Sequence, residues 1–246
     1  MINGLYSAGS AMEASARRHE LISQNLAHAN MPGYRRQEMR HACMEHSFDD
    51  AYRNAVQFHS MGTTSDEILT DFTQGIMERT GEPLDVALEG AGFFVVEGPA
   101  GPLYTRNGTF HVDADGQLLT ADRLPVMGRD GAITFPGDVI LSQVVIDAEG
   151  RIFHGNNEIG QLDIVDFNAP QRLSRSGITL FQAPADLPPQ DSTATLIQGS
   201  RERANVSPIQ EFVEMIAAQR QQEAAQKSMS LMIDSLGKHI NVQGRG

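Results

Sequence analysis

The sequence predicts a mixed α and β protein, with long N- and C-terminal helices pairing as a coiled-coil-like layer and a central all-β domain. Three observations carry this. An apolar stripe at helical spacing fills the first 30 residues, short β-forming runs separated by acidic-plus-glycine turns lie between about 84 and 190, and helical spacing returns after about 205. The 246 residues suffice for one large or two ordinary domains with a real core.

At the N-terminus, Leu5, Ala8, Met12, His19, Ile22, Leu26 and Ala29 recur at steps of three and four, with Ser15 filling one step. Such a stripe seeks a partner helix. Pro32 disfavours helical geometry at Met31 and Gly33 permits a turn, so the helix is expected to stop near Asn30 after about 42 Å. Residues 1–40 are read as this helix and turn, and 41–83 as an extended or irregular linker. Within the linker, 49–58 has the composition of a short helix and 61–65 that of a loop.

Residues 84–190 are read as the β domain. Apolar runs at 93–96, 139–141, 144–146 and 162–165 alternate with the clusters 113–116, 128–131, 147–150 and 155–158, which is hairpin and turn chemistry. The proline-rich stretch 183–190 reads as a loop leaving the domain. Residues 191–246 are read as a loop and C-terminal helix. Ser207 is placed as N-cap and Pro208 at the first helical position. Ile209, Phe212, Val213 and Ile216 form one apolar patch, and Met229, Met232, Leu236 and Ile240 a second. The polar run 219–223 separates them, and the tail from Gly237 is expected to fray. The terminal stripes are too long for the β domain to cover. They pair with each other, or they insert among other subunits.

Thirty-one acidic against nineteen basic residues give a net charge of −12, and only Lys227 and Lys238 are lysines. Nothing here resembles the basic patch of a nucleic-acid binder, so no nucleic-acid partner is expected. The single cysteine, Cys43, excludes an intrachain disulfide. No apolar run approaches the roughly 20 residues that span a bilayer, and 1–8 carries neither a basic nor a continuous apolar signal region, so neither membrane insertion nor a cleaved secretory signal is expected.

Candidate chemistry is sparse. His41, Cys43, His46 and His59 include one pair at metal-ligand spacing but lack the second paired half of a zinc site, so no metal is expected. Cys43 has no hydrolase signature around it. Gly90-Ala91-Gly92 precedes a strand, whereas phosphate loops open a helix. The pairs Asp113/Asp115, Asp147/Glu149 and Asp163/Asp166 read as turn chemistry, and an acidic-cleft hydrolase would need them to converge. Neither catalytic residues nor a cofactor are expected.

The segment Ser23-Gln24-Asn25-Leu26-Ala27-His28-Ala29-Asn30-Met31-Pro32-Gly33-Tyr34-Arg35-Arg36 resembles the N-terminal signature of the bacterial flagellar basal-body rod and hook proteins, roughly N-L-A-N-x-x-T-x-G-[FY]-[KR]. Four later stretches resemble further signatures of that family, in the same order: 84–94, 104–110, Ile159-Gly160-Gln161-Leu162 and Gly199-Ser200-Arg201-Glu202-Arg203-Ala204-Asn205-Val206. Ala204 stands where the family has serine, and Gln222 where an aromatic precedes Glu223. The short central part argues against a hook protein, and the wording of 82–88 and 104–108 is closest to the proximal rod protein, with the distal rod protein as the other candidate.

The resemblance implies a structural rod subunit without catalysis. Its terminal helices would polymerise into a tubular axial structure that transmits torque, with other rod and hook subunits and copies of itself as partners. It would leave through the flagellar type III export apparatus, without a cleaved Sec signal, for the periplasm-spanning rod of the basal body. Leu5, Met12, Ile22, Asn25, Leu26, Asn205, Val206, Ile209, Val213, Ile216, Met229, Met232 and Leu236 are the candidate assembly residues. Asn25 and Asn205 are weighed between a register-fixing hydrogen bond and a helix cap. Truncating either end is expected to abolish polymerisation and leave the β domain folded. The alternative is a non-enzymatic β-domain binding module on a helical stalk.

Overall fold

The computed structural model describes residues 2–41, 66–137 and 139–243, and within the helices the side chains over 12–27, 208–231 and 233–234. The expected short helix at 49–58, the loop at 61–65, and Cys43, His46 and His59 lie outside the described residues, as do the side chains of His41, Leu5, Met232 and Leu236. The chain forms two compact units. One comprises Met1–Ala27, Gln37–Thr70 and Ser207–Gly246, the other His28–Arg36 and Asp71–Val206.

The first unit contains helix α1 (Ile2–Ala27) and helix α2 (Pro208–Gln243), packed on each other, with an antiparallel strand pair Gln37–His41 and Asp66–Thr70. Helix α1 ends three residues before Asn30. Helix α2 starts at the proline expected in its first turn, where a missing N–H costs nothing. It then continues through Gly237 to Gln243, where fraying was expected.

The second unit is the β unit. Its largest sheet has six antiparallel strands in the order Ser174–Arg175, Leu180–Gln182, Gly101–Thr105, Phe93–Gly98, Ile164–Asp166, Gln190–Asp191. Val144–Ile146, Arg151–His154 and Asn157–Gln161 form a three-stranded sheet. Two further pairings join distant segments. Thr195–Gln198 pairs with Val86–Glu89, and Ser200–Glu202 with Met77–Arg79. Met77–Arg79, inside the stretch read as linker, and Thr195–Gln198 and Ser200–Glu202, inside the stretch read as a loop before the last helix, are strands because each meets a partner more than 100 residues away.

Two apolar clusters fill this unit. Val86, Leu88, Phe94, Val96, Leu118, Ile152 and Leu162 belong to the larger, on one face of the main sheet, and Phe93, Val95, Tyr104, Phe167 and Phe181 to the other. Phe93 and Phe94 thus serve opposite faces, as the two-residue strand period requires. A small third cluster contains Ala29, Tyr34, Ala204 and Val206.

Candidate assembly interface and signature junction

In the helical unit, burial along α2 recurs at Glu211, Met215, Ala218, Gln222, Ala225 and Met229, in alternating steps of four and three. Polar groups tie this face to α1. The Ser15 hydroxyl donates to the Ala218 carbonyl at 3.3 Å, the Asn25 amide donates to the Glu211 carboxylate at 3.4 Å, and Arg18 lies 3.7 Å from Glu214. Glu211 is fully buried. Ile22 and Leu21 supply buried apolar surface on α1, with Met12 and Leu26 half-buried. The apolar patch read from the sequence points away from this face. Ile209, Phe212, Val213 and Ile216 are 79, 53, 63 and 53% exposed. Leu231 and Ile233 are exposed further along. A helix normally buries its apolar stripe; α2 turns Met215, Ala218, Ala225 and Met229 inward together with Glu211 and Gln222, and leaves a second stripe of larger apolar side chains open.

Asn25 caps nothing. Its side chain both accepts from the Gln37 N–H at 3.0 Å and donates to the Gln37 carbonyl at 2.9 Å, a two-point clasp on the strand that starts there. Asn205 acts similarly in the β unit. It accepts from the Arg36 N–H at 2.7 Å and donates to the Asp71 and Thr73 carbonyls. Both asparagines are hydrogen-bonding ties between chain segments. Val206 is buried beside Tyr34.

Asn205 belongs to a junction where the N-terminal signature meets the late one. Gly33 donates to the Glu202 carbonyl at 2.8 Å. Its φ of +70° and the backbone of Asn107, 2.3 Å from where a Cβ would stand, leave room for glycine alone. Tyr34 stacks with His28 and lies under the Arg175 guanidinium at 4.8 Å. Arg35 is fully buried and donates from Nη2 to Glu202 Oε1 at 2.6 Å, the same oxygen that accepts the Gly75 N–H at 2.7 Å. Arg106, also buried, approaches Glu202 Oε2 at 3.6 Å. Burial pushes Arg106 down to about 10; Glu202 opposes this and Arg35 adds to it. The sequence reading did not single out Arg35, Arg106 or Glu202; the signal available was three charged residues inside signature stretches.

The other chemical candidates resolve into local structure. Gly90-Ala91-Gly92 is a tight turn into Phe93–Gly98, with Ser192 pressed against Gly92 and donating to the Ala91 carbonyl at 2.6 Å. Asp113 accepts the N–H groups of Asp115 and Gln117, and Asp147 those of Glu149 and Arg151, each closing its own turn. Asp166 accepts its neighbour's N–H. Asp163 is half-buried, and its carboxyl is raised by burial, opposed by Arg129 and reinforced by Asp191. Among the described residues no group of histidine, cysteine and acids has the arrangement of a metal site, and no helix is long and apolar enough to cross a membrane.

Residues 87–154, in the β unit, match the family described as the flagellar hook protein FlgE/F/G D1 domain, and 197–241 match the flagellar basal body rod FlgEFG protein C-terminal family. The flagellar basal-body rod protein FlgG of Borreliella burgdorferi is 30% identical over 99% of both chains. The rod protein FlgF of Caulobacter vibrioides is 29% identical over 93% of both, and FlgF of Salmonella typhimurium 29% over 97% of both. With three of the five signature stretches meeting at one junction and full-length similarity at this level, the chain belongs to the flagellar basal-body rod and hook protein family.

Proposed function

We propose that this chain is a structural subunit of the flagellar basal-body rod, which polymerises through its terminal helices into a tubular axial structure and transmits torque. The observation that carries this is the outward apolar stripe of α2, Ile209, Phe212, Val213 and Ile216. Burying it against neighbours is worth about 1.5–3 kcal/mol per side chain before the cost of association. Such contacts are heterologous, and in an open array they never close. The four-three recurrence along the inner face of α2 supports a coiled-coil-like pairing with α1. In that arrangement Ile22, Asn25 and Leu26 hold the pair, Asn205 and Val206 anchor the β unit's own chain, and Met12 and Met229 extend the contact surface along the helices.

The partners are copies of this chain and neighbouring rod and hook subunits; the named relatives are rod proteins, which favours rod over hook. Within the rod, motif wording favours the proximal position. The subunit reaches the basal body through the type III export apparatus without a cleaved Sec signal, and performs no catalysis. Replacing Ile209, Val213 and Ile216 together by serine tests the reading. Sedimentation should show loss of polymer with unchanged circular dichroism of the monomer, and undiminished polymer would overturn the assignment of this face.

A further inference from the structure

We infer that a row of alternating charges on each helix sets the register in which one copy of this chain stacks on the next. Glu13, Arg17 and Glu20 on α1 of one copy face Lys227, Glu223 and Arg220 on α2 of its neighbour. The inference rests on the rod reading, whose polymer it describes. On α2 the exposed residues Ile209, Val213, Ile216, Arg220, Glu223 and Lys227 follow one another in alternating steps of four and three. The first three belong to the open apolar stripe; the last three continue its line as charges of alternating sign. Helical periodicity places this line across the helix from Glu211, Ala218 and Gln222, which face α1. The side chains of Arg220, Glu223 and Lys227 make no hydrogen bond or ion pair among the described residues.

Helix α1 carries the complementary row. Glu13, Arg17, Glu20 and Gln24 are exposed in steps of four, three and four, across the helix from the buried Ser15, Ile22 and Asn25. Arg17 meets Glu13 along the helix at 2.7 Å, an exposed pair that leaves both groups open to a partner. Inside the chain, Ser15 with Ala218 and Asn25 with Glu211 run the two helices antiparallel. Copies stacked in one orientation bring α1 of one antiparallel onto α2 of the next, a heterologous contact that repeats without closing. Read in opposite directions, both rows step four and then three, with signs minus, plus, minus on α1 and plus, minus, plus on α2. All three pairs then meet at once, and the uncharged Gln24 and Ala27 fall opposite Ile216 and Val213. Sliding one step one way sets Arg17 against Lys227 and Glu20 against Glu223. Sliding the other way sets Glu13 against Glu223 and Arg17 against Arg220. Both alternatives oppose like charges, so the row discriminates against them. Exposed ion pairs add little strength; the apolar stripe holds the copies and the charges choose their alignment.

Charge reversal in the full-length chain tests this, read as the critical concentration by sedimentation, with circular dichroism checking the fold of each monomer. Reversing α2 alone (Arg220→Glu, Glu223→Lys, Lys227→Glu) should raise the critical concentration at least about tenfold, as should reversing α1 alone (Glu13→Lys, Arg17→Glu, Glu20→Lys). The six substitutions together should return it to within about threefold of the unsubstituted value, and so should an equal mixture of the two triple variants. Cysteine pairs read the register without reversing any charge. Above the critical concentration, Arg17→Cys chains mixed with Glu223→Cys chains, both carrying Cys43→Ser, should oxidise to heterodimers. Glu13→Cys mixed with Arg220→Cys in the same background should not, since the two positions then lie roughly 10 Å out of register. Triple variants that polymerise as readily as the unsubstituted chain, six substitutions that fail to restore polymer, or equal cross-linking in both cysteine mixtures would each overturn the register and leave the rod reading in place. An unsubstituted chain that forms no polymer overturns the rod reading, and the register with it.

Discussion

Gly33 shows how much a single residue settles in this chain. Its positive φ and the Asn107 backbone at 2.3 Å mean that a methyl group must move main chain, not a flexible side chain. Gly33→Ala should destabilise the junction around it by about 1–3 kcal/mol from the backbone conformation alone, with the clash added, read as a lowered urea midpoint of the β unit. Asp163 offers a second test, with a definite sign. Burial raises its carboxyl above the usual value, so the charged form is the one disfavoured by folding. Its contribution is favourable below the unfolded value and is lost as pH rises through the folded one. Asp163→Asn should therefore raise the thermal midpoint at pH 7, and the gain should vanish near pH 3. A variant less stable at pH 7 would show that the carboxylate is held by interactions stronger than its burial cost.

Among the elements, α2 is the one that leaves a second apolar stripe open. Its period is correct for an amphipathic helix, yet Glu211 and Gln222 face α1 while Ile209 and Val213 face outward. Gln222, standing where the family has an aromatic before Glu223, is half-buried on that inner face. Gln222→Leu should strengthen the pairing of α1 and α2 by about 1 kcal/mol, since a half-buried amide is exchanged for an alkyl group, and hydrogen exchange of α1 in the monomer should slow accordingly. The division of the chain changes what truncation means. Because 28–36 belongs to the β unit, removing 1–27 and removing 1–36 are different experiments. The shorter deletion should leave the cooperative unfolding of the β unit unchanged. The longer one should keep the transition and lower its urea midpoint, since Tyr34 and Arg35 leave the unit. Loss of the transition in the longer deletion would make the segment part of the folding core.

At the scale of the whole molecule, charge and apolar surface oppose each other. A chain of net charge −12 repels its copies over roughly 10 Å at 0.1 M salt, while the exposed stripe on α2 attracts. Polymerisation should therefore strengthen from 20 to 500 mM sodium chloride, read as a falling critical concentration by sedimentation. A critical concentration that rises with salt would mean that ion pairs between copies, not the apolar stripe, hold the polymer.

The sequence by itself determined the helix–β–helix plan, the family, and the residue types of both signatures, because periodicity, turn chemistry and motif wording are local properties of the chain. The apolar patch 209–216 was legible for the same reason: a three-four step is visible without knowing what covers it. Tertiary structure decided which face of α2 turns inward, since that depends on Ser15, Arg18 and Asn25, about 190 or more residues away. It also decided that Asn25 and Asn205 clasp backbone of other segments, and that Arg35 lies buried against Glu202. Those outcomes rest on pairings across the whole chain, where each partner is chosen by what the rest of the fold leaves unsatisfied.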